Sequence, residues 1–136
     1  MVFRIPLFLL ILAALLAPRA ASGAQTSPAD PRYDPGTTVA FDGLVTETRE
    51  VPKGNPMRGL HLTVDTGKES IDVYLAPAEY MKLFNFTFAK GDRIEVTGSK
   101  VKFAGATVVL AREVRRHSET LYLRDSSGNP NWPRSS

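Results

Sequence analysis

The sequence of 136 residues contains no cysteine, two histidines and one tryptophan. A chain without cysteine forms no disulfide and offers no thiolate as a nucleophile or metal ligand. The two histidines, His61 and His117, stand in no ligand-spacing motif, and no convincing catalytic set accompanies them. The sequence therefore predicts a non-enzymatic domain held by its hydrophobic core, with no metal and no cofactor.

The longest apolar run lies at the N-terminus, where Ile5 to Leu16 follows the single early cation Arg4. This run is shorter than the roughly 20 residues that span a bilayer, and small residues follow it, as in a secretory leader. We expect cleavage after Gly23 or Ala24, no stable membrane span afterwards, and a periplasmic or secreted product. Loss of Arg4 and Arg19 leaves 15 basic against 14 acidic residues, so bulk attraction to a polyanion should be weak.

Beyond the predicted leader, residues 1–24, the composition divides the chain into three parts. Residues 25–36 contain three prolines and no apolar periodicity, and predict a flexible lead-in. Residues 37–125 contain the alternating segments and predict one domain, because a chain of this length builds one core and not two. Residues 126–136 have turn composition and predict a C-terminal tail.

Apolar residues recur at every second position in five segments, which predicts five strands. Glycines interrupt the first of them, "TTVAFDGLVTETREV", and the fourth, "RIEVTGSKVKF", where a sheet would bend. The second and third, "LHLTVD" and "SIDVYLA", predict an antiparallel pair. A four-residue turn between them sets His61 across from Tyr74, whereas a two-residue turn sets it across from Asp72. Either register predicts one polar, partly aromatic patch on the outer, solvent-facing side.

One segment predicts a helix, "PAEYMKLFNF", from Pro77 to Phe86. Proline suits the first helical turn, and Tyr80, Leu83 and Phe84 follow the spacing of a helical apolar stripe. The predicted order is three strands, the helix, and two more strands.

This order, with bends in the first and fourth strands, resembles the OB-fold, a five-stranded Greek-key barrel whose helix lies between the third and fourth strands. The resemblance covers about Thr37 to Arg116, and "KGDRIEVTGSKV" is similar to the fourth-strand phrase of many OB-fold proteins. More narrowly, "LARE" and the terminal "LYLRDSSGNPNW" resemble the small periplasmic bacterial OB-fold proteins, which are labelled nucleic-acid-binding or BOF-like. The resemblance implies an all-β domain with one short helix.

Ligands of OB barrels lie across the second and third strands and between the loops that join strands one to two and four to five. The resemblance therefore implies a ligand site on that face and on the loop "PKGNPMRG", with Tyr74 either stacking on a ligand or packing across the strands. A candidate anion ridge lies near the fifth strand, where basic residues could equally serve to prevent edge pairing. The implied ligand site consists of Lys53, Asn55, Met57, Arg58, His61, Thr63, Asp72 and Tyr74, and the ridge of Lys100, Lys102, Arg112 and Arg116.

Two functions stay open. The first is a non-catalytic exported binding module for a protein, peptide, glycan or small anion, and the second is a single-stranded nucleic-acid-binding protein. Nucleic acid requires several stacking aromatics over a positive groove, whereas the predicted face offers His61 and Tyr74, with Asp72 opposing phosphate. These residues favour the first function.

Overall fold

The computed structural model describes residues 31–133, so the predicted leader and residues 25–30 lie outside the described range. Within that range the chain forms strands and a single short helix, which confirms the all-β prediction with one helix between the third and fourth strands. No described helix is long and apolar enough to cross a membrane. The elements are a 3-10 turn at Pro35–Thr37, β1 (Thr38–Val51), β2 (Gly59–Asp65), β3 (Ser70–Ala76), α1 (Ala78–Met81), β4 (Arg93–Phe103), β5 (Ala106–Arg116) and β6 (Glu119–Tyr122).

The described strands pair in the order β3-β2-β1-β4-β5-β6, and all these pairings are antiparallel. A parallel pairing of β3 with β5, at Val73↔Val109 and Tyr74↔Leu110, joins the first five strands into a closed ring. β6 pairs with the last four residues of β5, beyond the part that meets β3. The sheet thus has six strands instead of the five that were predicted, because the apolar run of β6 is too short to be recognised by its alternation.

Both predicted bends lie where one strand changes partners or register. β1 pairs with β4 up to Leu44 and with β2 from there on. A Cβ on Gly43 would lie 2.5 Å from the carbonyl oxygen of Asp65, so only glycine fits this crossing. In β4 the register with β5 shifts between Thr97 and Gly98. The two glycines therefore allow the strands to approach closely where the sheet curls.

The interior of the ring is filled by the apolar residues that alternate along the strands. The described core residues are fully or almost fully buried, and each contributes about 1.5–3 kcal/mol through removal of its side chain from water. They include Val45, Leu62, Val64, Val73, Leu75, Ile94, Val96, Val109, Val114, Leu121 and Leu123.

The helix is shorter than the sequence pattern predicts. It ends at Met81, and the next backbone bonds, from Leu83 to Tyr80 and from Phe84 to Met81, are of the tighter i to i−3 kind. Tyr80 and Phe84 pack against the core, but Leu83 is 76% exposed and does not continue the stripe. The chain leaves the helix early because Phe86 turns inward and packs in the barrel core.

Candidate functional site

The outer face of β2 and β3 is shielded from solvent at His61 and Tyr74. The strands pair in the register of the four-residue turn, with His61 opposite Tyr74. His61 is 1% exposed and Tyr74 is 7% exposed. The prediction of a solvent-facing patch is wrong for these two residues, because the β1–β2 loop, residues 52–58, folds back over them and its carbonyl groups bond their polar atoms.

His61 fastens this loop to β3. Its Nδ1 lies 3.0 Å from Oδ1 of Asp72, and its Nε2 lies 2.7 Å from the backbone carbonyl oxygen of Met57. Both partners accept hydrogen bonds when the carboxylate is ionised. A doubly protonated imidazole donates to both, whereas a neutral ring donates to one.

The charge on Asp72 is favoured by its surroundings. Burial raises the pKa of its carboxyl group, but the hydrogen bond and charge of His61, together with Arg49, outweigh burial and hold the pKa below its ordinary value. Arg49 donates through Nη2 to Oδ2 of Asp72 at 3.1 Å. The carboxylate therefore anchors two side chains, the buried imidazole of His61 and the half-exposed guanidinium of Arg49.

Tyr74 fastens the next residue of the loop. Its hydroxyl donates to the backbone carbonyl oxygen of Arg58 at 3.1 Å. Its ring contacts that of His61 at a centroid distance of 5.2 Å and that of Trp132 edge-on at 6.5 Å. Two consecutive loop carbonyls, those of Met57 and Arg58, are thus held by two side chains of the predicted binding face.

The other predicted residues of this face contribute local contacts. Asn55 closes the loop, since its side-chain oxygen accepts from the amide of Met57 at 2.8 Å. The hydroxyl of Thr63 donates to Glu47 on β1 at 3.3 Å. Lys53 is exposed on the loop. The structure brings the predicted residues together, but several of them support the loop with their polar atoms.

Segments at both ends of the described chain complete the cover. Tyr74, Val108 and Leu110 form a small second apolar cluster, against which Tyr33 and Trp132 pack from the two flanks. Asp34 is fixed to β4, since its backbone amide donates to the hydroxyl oxygen of Ser99 at 2.9 Å and its carbonyl oxygen accepts from that hydroxyl at 2.9 Å. The outer face therefore carries its own packed layer.

A cleft of about 510 Å³ opens beside this layer, and we call it the arginine cleft. Its lining brings together the β1–β2 loop, the end of β3 and the two flanking segments. Its described lining consists of three arginines, three aromatic residues, four prolines and the turn at 127–129, and contains no acidic residue between positions 31 and 133. The arginines are Arg32, Arg58 and Arg124, and the aromatics are Tyr33, Tyr74 and Trp132.

Arg124 is the most buried cation of the cleft, with 8% exposure. Its Nη1 donates to the carbonyl oxygen of Gly128 at 2.9 Å, and its Cζ lies 5.0 Å from the ring centroid of Trp132 and 5.7 Å from that of Tyr33. Among the residues that the structure describes, its buried Nε has no hydrogen-bond partner. Burial lowers the pKa of the guanidinium, and the nearby Tyr74 and Tyr33 oppose this effect. An arginine nevertheless stays charged in proteins, so the cleft contains a buried cation with an unused donor.

A folded turn holds the C-terminal wall of the cleft. The carboxylate of Asp125 accepts from the amides of Ser127 and Asn129, each at 2.9 Å. The hydrogen bond from the Asn129 amide is the largest cause that lowers the pKa of Asp125. Gly128 has φ +93°, and a Cβ there would lie 2.2 Å from the ring of Tyr33. Glycine is thus required both by the backbone and by close packing.

The predicted anion ridge is spread over two strands. Lys100 and Lys102 are exposed on β4, and Arg112 is half-buried where β5 shifts register. Arg116 is engaged in local structure, since its Nη1 donates to Oδ2 of Asp92 at 2.9 Å and to the carbonyl oxygen of Thr87. Its guanidinium also lies 4.5 Å from the ring centroid of Phe86.

Only Arg58 and Tyr74 of the predicted ligand site line the arginine cleft. Sequence reasoning missed Arg124 and Trp132 because both follow the last recognised strand. Two signals point to this segment. One is the single tryptophan of the chain, and the other is the run "DSSGN", in which an aspartate precedes turn residues whose backbone amides can donate hydrogen bonds to its carboxylate.

Comparison with known proteins gives one family. Residues 37–121 match the family described as the MamS/MamX magnetosome protein family. The match covers more than half of the chain and spans β1 to most of β6. None of the curated proteins matches the chain.

Proposed function

Because the chain belongs to the MamS/MamX magnetosome protein family, we propose that it acts at a magnetosome, as an exported, non-catalytic binding module that holds its ligand in the arginine cleft. The predicted leader supports export. The closed ring of β1 to β5, with α1 between β3 and β4, supports the proposal that the module is an OB-fold, to which β6 is an addition.

The observation that carries this proposal is the position and size of the cleft. Its volume of about 510 Å³ is in the usual range of small-ligand sites, roughly 300–1,000 Å³. Arg58 of the β1–β2 loop and Tyr74 of β3 both line it, so it lies beside the strands and the loop that OB-folds use for ligands. The β1–β2 loop covers His61 and Tyr74 on the β2–β3 face, which favours the cleft beside them as the ligand site.

The chemistry of the lining supports binding without catalysis. Arginines, aromatic rings and backbone amides supply charge, ring faces and hydrogen bonds, whereas a general base or nucleophile needs a positioned His, carboxylate or activated hydroxyl. His61 lies under the loop with both ring nitrogens within hydrogen-bonding distance of Asp72 and Met57. It acts as a positioning residue for the wall of the cleft.

A fragment screen followed by amide chemical shifts in NMR tests the proposal. We expect fragments that bind the purified protein to shift the amides of Arg58, Tyr74, Gly128 and Trp132. The control is a variant at the cleft rim, Gly128→Val, whose side chain collides with Tyr33 and should displace these binders while the shifts of β4 stay in place. Fragment shifts that concentrate around β4 and β5, away from the cleft, would contradict the proposal.

Single-stranded nucleic acid is the second candidate ligand, and one observation favours it. The cleft places Trp132 and Tyr33 beside the cation of Arg124, which is the combination of stacking and charge that single-strand binders use. Titration with fluorescently labelled oligo-dT at about 50 and about 200 mM salt separates the two candidates. A nucleic-acid interface predicts affinity that rises with oligonucleotide length and falls steeply with salt, whereas a ligand confined to the cleft predicts no dependence on length.

A further inference from the structure

We infer that the ligand of the arginine cleft carries an oxyanion, a carboxylate or a phosphate, which Arg124 receives while a flat apolar part of the ligand packs against Trp132. The inference rests on the proposed function, that the cleft is the ligand site, and goes beyond it by naming the ligand class and the anchor residue.

The first reason is the charge of the lining. Of the residues that the structure describes, three arginines and no acidic residue line the cleft. Buried cations in proteins are normally paired with a carboxylate or another anion, because removal of an unpaired charge from water is unfavourable. Arg124 is 8% exposed, and no described carboxylate forms an ion pair with it. A bound anion would supply the missing countercharge.

The second reason is the unused donor. A guanidinium carries five N–H groups in one plane, and its Nε–H lies parallel to one N–H of Nη2. In Arg124 the Nη1 donates to Gly128, whereas the buried Nε has no partner among the described residues. The edge formed by Nε and Nη2 matches two oxygens of one carboxylate or phosphate. This geometry favours a planar or tetrahedral oxyanion over a monatomic anion.

The third reason is the apolar wall around the cation. The ring centroid of Trp132 lies 5.0 Å from the Cζ of Arg124, and Tyr33 lies on the same guanidinium at 5.7 Å. Four prolines complete the lining. Burial of Arg124 strengthens its attraction for an anion, and the rings offer faces for an aromatic or aliphatic group. The cleft therefore suits an amphipathic anion better than a fully hydrated one.

Trp132 makes the test direct, because it is the only tryptophan of the chain and it lines the cleft. Its fluorescence is followed while the purified protein is titrated with benzoate, phenyl phosphate, benzamide or benzylamine. We expect at least one of the two anions to bind roughly tenfold or more tightly than benzamide, as expected for a charge-assisted hydrogen bond, and benzylamine to bind weakest. Which anion binds more tightly distinguishes carboxylate from phosphate as the natural group.

Four variants assign the anion preference to its residues. Arg124→Met should weaken binding of the preferred anion at least tenfold, whereas Arg124→Lys, which keeps the charge and loses the planar fork, should have an affinity between those of Arg124→Met and the natural protein. Arg115→Met removes an arginine that pairs with Glu95 on an exposed strand face, and should leave the affinity unchanged. Since Arg124 also supports the turn through Gly128, Arg58→Met serves as a second cleft variant, and it should also weaken binding of the anion.

The outcomes separate the two proposals. Equal affinity for benzoate, phenyl phosphate and benzamide, with the NMR shifts still in the cleft, overturns the oxyanion inference and leaves the binding site intact. An anion preference that survives Arg124→Met and Arg58→Met overturns the assignment of the anchor. No response of Trp132 to any of the four probes overturns the inference as well, and fragment shifts elsewhere would then contradict the proposed function itself.

Discussion

Asp72→Asn tests whether the anchor of the β1–β2 loop depends on charge. The carboxylate of Asp72 accepts from Nδ1 of His61 at 3.0 Å and from Nη2 of Arg49 at 3.1 Å. Asparagine has nearly the same shape and keeps one acceptor oxygen, so the substitution removes the charge and leaves the packing. The other nitrogen of His61 still lies against the carbonyl of Met57, and the effect is therefore confined to this anchor.

The magnitude follows from the exposure of the two partners. The His61 contact is buried on the histidine side, and a hydrogen bond to a charged group such as the Asp72 carboxylate contributes about 1.5–3 kcal/mol. The side chain of Arg49 is 40% exposed, so its contribution is at most about 1 kcal/mol. Because the amide retains part of the histidine bond, we expect a loss of about 1.5 kcal/mol in the free energy of unfolding. For a domain of this size the melting temperature should fall by roughly 5–10 °C.

The dependence on pH provides the sharper check. The folded-state pKa of Asp72 lies below its ordinary value of 3.8, so the folded protein binds the proton less readily than the unfolded chain. The stabilisation is complete above that ordinary value and is lost as pH falls through the folded-state pKa. The difference in unfolding free energy between the natural protein and Asp72→Asn should therefore be constant at neutral pH and shrink as the pH falls below 3.8 towards the folded-state pKa of Asp72.

Urea unfolding followed by circular dichroism at about pH 7, 5 and 3 measures this difference. Asp42→Asn is the matched control, because Asp42 pairs with Arg93 at 3.3 Å on the surface, where the two side chains are 67% and 65% exposed. That variant should change stability by less than about 0.5 kcal/mol. A loss for Asp72→Asn that is equal at pH 7 and pH 3 would refute the electrostatic explanation, and no loss at pH 7 would show that the anchor is not stabilising.

Two further substitutions address the bend of the sheet and the second anchor. Gly98→Val should destabilise the fold by several kcal/mol or prevent folding, because a Cβ there would lie 2.3 Å from the carbonyl oxygen of Leu110. The control is Gly54→Ala, which lies in open space at φ +95° and should lower the unfolding free energy by only about 1–2 kcal/mol. Similar melting temperatures for the two variants would contradict the close-packing argument. Tyr74→Phe removes the hydroxyl that donates to the carbonyl of Arg58 and should lower unfolding free energy by about 0.5–1.5 kcal/mol, with a gain in stability counting against the anchor.

The sequence was most informative where the local pattern and the fold agree. Alternation identified the strands of the ring, and the sharing of one face by paired strands left two registers of β2 and β3 open, of which the structure has the one with His61 opposite Tyr74. The glycines at 43 and 98 were informative because a bend leaves a visible interruption in the pattern. The helix was overestimated because its apolar stripe looks continuous through Phe84, whereas burial of Phe86 in the barrel ends it after Met81.

The alternation pattern could not predict whether the outer face of β2 and β3 is exposed to solvent. Alternation separates the two sides of a strand but carries no information on whether another segment covers the outer side. Tyr33 and Trp132 supply that cover from opposite ends of the described chain, and neither stands in a periodic segment. The cleft was missed for the same reason, since Arg124 comes into contact with Trp132 and Tyr33 through long-range packing of irregular chain.

The proposed anion preference of the cleft does not require a large overall charge. Some cations outside the cleft are paired locally, as Arg116 is with Asp92 and Arg115 with Glu95, whereas Arg124 has no ion pair with a described carboxylate. The family match ends at residue 121, whereas Arg124 and Trp132 follow it. The ring of strands and the β1–β2 loop thus lie in the part that matches the family, and Arg124 and Trp132, which we propose to bind the ligand, lie in the segment after it. On this division, exchanging residues 124–133 between family members should transfer ligand preference while the core, which includes Leu123, is kept, and a preference that stays with residues 37–121 would place selectivity in the loop instead.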